Sequence, residues 1–335
     1  MKSDNLSKHI MLIAPVFFDY YKKMQEELEL LGFSVDYVCD APSNSNISKA
    51  LGRINKKFIL SATKKHFKNN VLSKSKEKSY DYILIIAGMT FSFNEDMIKQ
   101  LKLSQSEAQF ILYQWDAEDN LPNITAIHKY FDRIYTFDRI DCINKSFYNF
   151  LPLFYVREYR EIAGTSDKKV YDCVYIGTAH PKKYKHINLI SDSIKQIMPN
   201  QFIYHYMPSK LKFWYHKLFA PEFKKARLSD FNYNKLSYSE TLEKIRQTDC
   251  VLDASQEGQK GLTIRTIECL GSKKKLITAN EDVINYDFYD EQNILIFKDN
   301  IDYNSKFFNT PYKEIDSEIY EKYSLKNWLK TILQI

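Results

Sequence analysis

The sequence predicts an α/β protein of two doubly wound, parallel-sheet domains facing a cleft. Three observations lead there. Short apolar runs, such as HIMLIA at 9–14 and YILIIA at 82–87, read as strands buried on both faces, the pattern of a parallel sheet covered by helices. Segments of helical periodicity alternate with these runs, as right-handed β-α-β crossovers require. The alternation lapses once and restarts, and 335 residues is about twice the usual size of a single domain.

His9–Ala14 is the first strand. Phe18–Leu31 places Met24, Leu28 and Leu31 on one helical face, Gly32 stands where a helix C-cap belongs, and Phe33–Val38 alternates as a second strand. Tyr82–Ala87 is a strand, Glu95–Leu103 a helix, Phe110–Tyr113 a strand running into Gln114-Trp115-Asp116, and Arg133–Phe137 a short strand. A link over 151–167 contains Gly164, Thr165 and Ser166. The pattern then resumes with strand Tyr171–Ile176, closed by Gly177, helix Lys182–Ile197 and strand Phe202–Tyr206. Helix Ser239–Gln247, strand Cys250–Ala254, helix Leu262–Leu270, strand Lys275–Thr278 and strand Asn293–Phe297 complete it. Ile315–Leu333 reads as one amphipathic helix. The expected domains are 1–155, with a basic insertion near 46–78; 156–314; and a C-terminal helix, 315–335, packing back on the first domain. Ligands of such sheets bind beyond the carboxyl ends of the strands, which singles out the loops after Ala14, Ala87, Tyr113, Ile176, Ala254 and Thr278.

Composition narrows the chemistry. Only 8 Gly are present, and neither G-x-G-x-x-G nor G-x-x-x-x-G-K-[ST] occurs, which excludes the common dinucleotide fingerprint and the P-loop. The 5 Cys are scattered without a C-x-x-C, so a metal knuckle or redox pair is not indicated and a reducing, cytoplasmic setting is expected. The apolar run at 10–18 is broken by Pro15 and lacks a small-residue cleavage site, and no run is long enough to span a bilayer. A net charge of +6 hides an asymmetry: ten Lys or Arg face one acid between Lys49 and Lys78, and six face one acid between Ser209 and Arg227, leaving the remainder acidic.

Three constellations could carry chemistry. Gly261-Leu262-Thr263-Ile264-Arg265 follows the strand CVLDA and opens a helix whose N-terminal amides suit a phosphate. Gly261 permits close approach, Thr263 offers a hydroxyl, Arg265 could grip a diphosphate in a bidentate way, and Glu268 could accept from a ribose diol. The alternative is an ordinary capped helix with Arg265 and Glu268 as an i,i+3 surface pair. Gly177-Thr178-Ala179-His180, with Lys182, Lys183, Tyr184 and Lys185, follows the first strand of the second domain. His180 could donate to a phosphate and Lys183 neutralise it, or His180 could cap the helix above a solvated lysine face. Asp116, past a strand end of the first domain, is the best placed carboxylate to take a proton from an attacking hydroxyl, with Asp19 as runner-up and Asp138 weaker; a helix-capping role is the alternative.

The segment EGQKGLTIRTIECLGSKKKLIT resembles the donor-binding segment of GT-B glycosyltransferases, enzymes of two Rossmann-like domains that use nucleotide-activated sugars. FFDYYKKMQEELELLGFSVDY, ILYQWD, GTAH, GLTIRTIE and YEKYSLKNWL, in that order, are similar to bacterial glycosyltransferases of capsule, lipopolysaccharide or exopolysaccharide biosynthesis and to the CgeB-like group. The resemblance implies a nucleotide-sugar donor held by Gly177, Thr178, Lys183, Tyr184, Gly261, Thr263, Arg265 and Glu268, with Asp116, His180 and Asp19 as catalytic candidates. The retaining pattern has a Glu eight residues before the second one; here that position is Lys260, so only Glu268 carries over. No D-x-D stands in a strand-end loop, so neither a metal nor a cofactor beyond the co-substrate is expected.

The two basic segments are laced with apolar residues, Phe67 and Val71 in the first and Leu211, Trp214, Leu218 and Phe219 in the second. Basic amphipathic helices of this kind suit an anionic lipid surface, and Lys56, Lys57, Lys64, Lys65, Trp214 and Lys217 are the expected contacts. A lipid-linked glycan acceptor at the inner face of the plasma membrane would give them a purpose. Two other readings compete: a membrane-surface scaffold that kept the fold and lost the chemistry, and a nucleic-acid binder. The last is weaker, because the remaining chain is acidic and carries no recognition motif.

Overall fold

The computed structural model describes residues 7–42, 59–121, 123–164, 169–254, 261–298 and 301–335. The chain divides into two units, one of Met1–Pro152 with Trp328–Ile335 and one of Leu153–Asn327.

The first unit holds a six-stranded sheet in the order β2-β1-β3-β4-β5-β6, and every pairing is parallel. Its strands are β1 (His9–Ala14), β2 (Ser34–Cys39), β3 (Tyr82–Ala87), β4 (Gln109–Gln114), β5 (Arg133–Thr136) and β6 (Asn149–Phe150). The charge-free runs occupy the centre, where Ile10–Ala14 and Ile83–Ala87 are fully buried. Each such Ile or Leu contributes about 1.5–3 kcal/mol relative to exposure, which is why these segments take the middle of the sheet. The chain's end belongs to this unit: the Trp328 indole donates to Pro152 O at 3.0 Å and packs edge-on against Tyr113 at 4.7 Å.

The second unit holds a five-stranded parallel sheet in the order β11-β10-β9-β7-β8. Its strands are β7 (Tyr171–Thr178), β8 (Gln201–Tyr206), β9 (Thr248–Asp253), β10 (Lys275–Thr278) and β11 (Ile294–Ile296). Both sheets therefore reverse direction beside their first strand, between β1 and β3 and between β7 and β9. A reversal of that kind separates the two flanking loops and opens a ligand crevice at the carboxyl end.

Local chemistry sets the helix ends. Gly32, at φ +93°, follows helix Tyr20–Leu30, a left-handed cap that a side chain would strain. Helix Pro181–Ile194 begins with proline at its first turn, where no amide is needed. The expected single C-terminal helix is two, Ser317–Lys322 and Leu325–Leu333: Asp316 accepts from the Glu318 and Ile319 amides and starts a separate turn. The expected link holds structure, helix Arg157–Glu161, and β7 runs through Gly177 rather than stopping at it.

The two basic segments fold in opposite senses. In the first, Lys56 and Lys57 lie outside the described residues. From 59 on, helix Leu60–His66, a π-helical stretch Phe67–Leu72 and helix Ser73–Glu77 turn Phe67 and Val71 into the unit's core, with Phe67 edge-on to Phe93 at 5.2 Å. Lys64 and Lys65 stand exposed on the far side. Phe67 and Val71, two of the apolar residues that suggested a lipid-facing helix, are thus core residues, while Ile47, Leu51, Ile54 and Phe58 lie outside the described residues. In the second, helix Lys210–Phe219 buries Phe213 but leaves Leu211, Trp214, Tyr215, Leu218 and Phe219 between 51% and 81% exposed. Lys217 is not a surface contact: its ammonium donates to the Lys224 and Ala226 carbonyls at 2.6 and 2.7 Å and ties the helix to the next turn.

Candidate functional site

The second unit gathers charge at its switch point. The Asp253 carboxylate, 1% exposed at the end of β9, faces Lys183 Nζ at 3.5 Å across the reversal. The same carboxylate accepts from the Thr263 hydroxyl at 2.5 Å and the Thr266 hydroxyl at 3.2 Å. Thr263 is also the N-cap of helix Ile264–Gly271, its oxygen accepting from the Thr266 amide. A buried carboxylate thus anchors one end of that helix and pairs with a lysine in the first turn of helix Pro181–Ile194, as a buried charge requires.

One turn further, Arg265 and Glu268 pair at 2.6 Å, with side chains 14% and 4% exposed. The expected i,i+3 partnership exists, but it is buried rather than on the surface. Arg265 also donates to the Tyr159 hydroxyl at 3.4 Å, and the Tyr238 ring stands perpendicular to Tyr159 at 6.2 Å. Burial, then the Glu268 charge, pushes the Tyr159 phenol well above its usual pKa, so it stays a neutral donor.

The other expected donor ligands divide. Gly177 is glycine because of its own strand: a Cβ there would overlap the hydroxyl of Tyr175, the residue two before it on the same face. Tyr175 is 1% exposed and its hydroxyl has no hydrogen-bond partner among the described residues, while Lys183 sits over its ring at 6.0 Å. Thr178 is exposed at the end of β7 and His180 holds the N-cap position of the following helix without a side-chain capping bond. Tyr184 faces the core instead. Its ring packs against His205, Phe223 and Phe231 at about 5 Å, and its hydroxyl donates to Asp230 at 3.1 Å. Gly261 is buried, its carbonyl accepting from Asn280 at 3.5 Å.

In the first unit Asp116 is half-buried past β4, and its Oδ2 accepts from the Met89 amide at 2.8 Å, bracing the loop after β3. Asp40, 1% exposed at the end of β2, accepts from the Thr90 hydroxyl of the same loop at 2.8 Å. Asp19 stands in left-handed backbone at φ 61°, next to Phe18 at φ 43°, and pairs with Lys22 at 3.3 Å on the surface. Such backbone costs on the order of 1–3 kcal/mol outside glycine, and this pair of residues lies in the loop that leaves β1 at the switch point. Asp138 is a helix cap, its carboxylate accepting from the Ile140 amide at 2.8 Å. Behind Asp116, Tyr148 donates to Glu118 at 2.5 Å and to Gln114 at 3.0 Å. Burial would raise the Glu118 pKa, but Lys145 and Tyr148 outweigh it and hold it low.

Asp253, Tyr159, Tyr175 and Tyr238 went unpredicted. One signal for Asp253 was legible, an acid inside the otherwise apolar strand CVLDA. Among the described residues no group of three or more His, Cys, Asp or Glu side chains is gathered as a metal ion would need.

No protein-family model matches the chain, and no curated protein matches it in sequence. Solved structures do resemble it. HepE of Anabaena, solved in complex with UDP-glucose, aligns over 97% of this chain and 98% of its own at 10% identity and a TM-score of 0.56. A glycosyltransferase of Rickettsia africae aligns over 98% and 97% at 12% identity and 0.55. The lipopolysaccharide outer core galactosyltransferase WaaB, in its apo form, aligns over 97% and 99% at 11% identity and 0.50. At such identities the likeness speaks for the fold: two α/β units on parallel sheets, of the GT-B type.

Proposed function

We propose that this chain is a glycosyltransferase that moves a sugar from a nucleotide-sugar donor to a glycan acceptor. The acceptor is lipid-linked, and the setting is bacterial surface-polysaccharide synthesis at the cytoplasmic face of an anionic membrane. One observation carries the reading. Lys183, Asp253, Arg265 and Glu268 converge at the switch point of the second unit, beside the N-terminus of helix Ile264–Gly271, the region in which doubly wound sheets bind ligands. The structural neighbours support it, one having been solved with UDP-glucose and one being a lipopolysaccharide galactosyltransferase.

In this reading Lys183, Arg265 and the helix N-terminal amides take the diphosphate, and Glu268 takes the ribose diol. Thr178 and His180 border the sugar. Asp253 positions Lys183 and Thr263. Their charges stabilise the departing nucleotide diphosphate without a metal. Asp116 removes the proton from the acceptor hydroxyl as it attacks the anomeric carbon, a single displacement with inversion, and Asp19 is the second candidate. No helix among the described residues is long and apolar enough to cross a membrane, so attachment is peripheral.

A second reading has one observation in its favour. Each of the two cations is already matched by a carboxylate, as in a site that has become structural scaffold. Thermal shift with UDP, GDP, CMP and dTDP separates the two readings. One nucleotide raises Tm if the donor site is active, by the stabilisation that ligand-linked folding requires. Arg265→Ala and Glu268→Ala each abolish that rise. No response to any of the four overturns the donor-site reading in favour of the scaffold.

A further inference from the structure

We infer that helix Lys210–Phe219 is a bilayer-insertion element, whose outer face enters the acyl boundary of an anionic leaflet. This deepens the membrane part of the reading above and rests on it, though not on glycosyl transfer itself.

The helix is apolar on the wrong side for a soluble protein. Leu211, Trp214, Tyr215, Leu218 and Phe219 follow the spacing i, i+3, i+4, i+7, i+8, the full apolar stripe of an amphipathic helix. In an ordinary surface helix that stripe faces the core. Here it faces outward, with Leu211 81%, Leu218 75% and Phe219 71% exposed. The core is reached instead by Phe213, 2% exposed, from the opposite side, its ring tilted against Phe231 at 5.5 Å. The stripe is also held rigidly. The Ser209 hydroxyl caps the helix, His216 packs on Phe223 at 5.1 Å, and Lys217 is fixed on the Lys224 and Ala226 carbonyls.

Charge names the occupant. Lys210 and Lys212 flank the stripe, and Lys224, Lys225 and Arg227 follow it with Glu222 as the one acid. A second copy docked face to face would bring these cations against their own kind. An anionic leaflet pairs with them while accepting the stripe, and Trp214 and Tyr215 have the apolar body and polar tip that lodge at a headgroup boundary. The described part of the first basic segment, from 59 on, lacks this property, because Phe67 and Val71 are turned into the core.

The test is flotation of the intact chain with vesicles of phosphatidylcholine, alone or with about one third phosphatidylglycerol. The wild-type chain rises with the anionic vesicles, and its tryptophan emission shifts to the blue. Trp214→Phe removes the shift, since of the other two tryptophans Trp328 is buried and Trp115 is half-buried against Tyr20 and Tyr113. The triple variant Leu211→Gln/Leu218→Gln/Phe219→Gln, confined to exposed positions, loses at least about tenfold in vesicle affinity while keeping its circular dichroism and its nucleotide-induced Tm rise. A wild-type chain that stays in the soluble fraction overturns the proposal, as does a triple variant that floats equally well. So does a concentration-dependent dimer that the triple variant dissolves without any vesicle binding. Retained flotation with no Tm response to any nucleotide would sink the glycosyltransferase reading and leave this one standing.

Discussion

The two basic segments have nearly the same ingredients and opposite orientations. Both interleave lysines with large apolar residues, and from composition alone both suit a lipid surface. In the first, from 59 on, Phe67 and Val71 are 2% and 0% exposed, while Lys64 and Lys65 face water. In the second, Phe213 is the ring turned inward, and five other large apolar or aromatic side chains, Leu211, Trp214, Tyr215, Leu218 and Phe219, are left outside. What separates them is the register of the apolar stripe against the anchor, not the amount of charge or hydrophobicity. A stripe that shares its face with the anchor is core; a stripe opposite the anchor is a surface for something else.

The sharpest way to break this comparison is to truncate one aromatic of each segment. Phe67→Ala removes a ring packed against Phe93 in the first unit's core and costs about 3–5 kcal/mol in urea unfolding. Phe219→Ala, 71% exposed, changes stability by less than about 0.5 kcal/mol. Equal losses at the two positions would mean that the second stripe is covered within the chain and that the contrast is false.

A smaller effect sharpens the comparison through pH. The cluster that seats Phe213 also holds His205, 3% exposed, between Tyr175, Tyr184 and Phe231. Burial lowers its pKa from 6.5 to about 4. Below pH 6.5 the unfolded imidazole takes a proton that the buried one refuses until about pH 4, so stability is full at neutral pH and falls as pH drops through that window. The loss approaches roughly 3 kcal/mol at the acid end of the window. Burial also lowers His128, His186 and His216, which add in the same direction. Unfolding midpoints followed from pH 7 to pH 4 in wild type and His205→Gln measure it. The variant has the flatter profile, and an unchanged slope would remove His205 as the cause.

Much of the fold was legible because central strands announce themselves. HIMLIA and YILIIA can go nowhere but the middle of a sheet, and Gly32 and the i,i+3 pair Arg265–Glu268 are local features that spacing alone exposes. What was not legible is what tertiary structure assembles. Lys183 meets Asp253 across a strand reversal, and Tyr159 reaches Arg265 from a helix inside a stretch that reads as linker. Tyr184 was expected among the donor ligands, yet the helix turns it to the buried face with Ile187 and Ile190. Gly177 was expected beside the donor, whereas a Cβ there would meet the Tyr175 hydroxyl.

The smallest effect concerns how the first segment is held. Lys74 and Lys78 both pair with Asp36 on β2, Lys74 at 3.5 Å, and Tyr80 donates to the same carboxylate at 2.8 Å. Burial would raise the Asp36 pKa, but the bonds from Lys78 and Tyr80 and the lysine charges outweigh it and hold it below its ordinary 3.8. A carboxylate so depressed stabilises the fold above the unfolded value, and the contribution is lost as pH falls through the folded one. The lysines are 38% exposed, so solvent and salt screen the pair, and Lys78→Ala costs under about 1 kcal/mol at pH 7. That cost shrinks in high salt, fades as pH falls below the ordinary Asp36 value of 3.8, and vanishes only past the lowered folded value, where the carboxyl is protonated in both states. Removing an exposed lysine from the second segment, Lys210→Ala for example, gives no such acid-dependent loss if its charge serves a membrane and not the fold. A loss at Lys210 that tracks carboxylate titration, with none at Lys78, would reverse the roles assigned to the two segments.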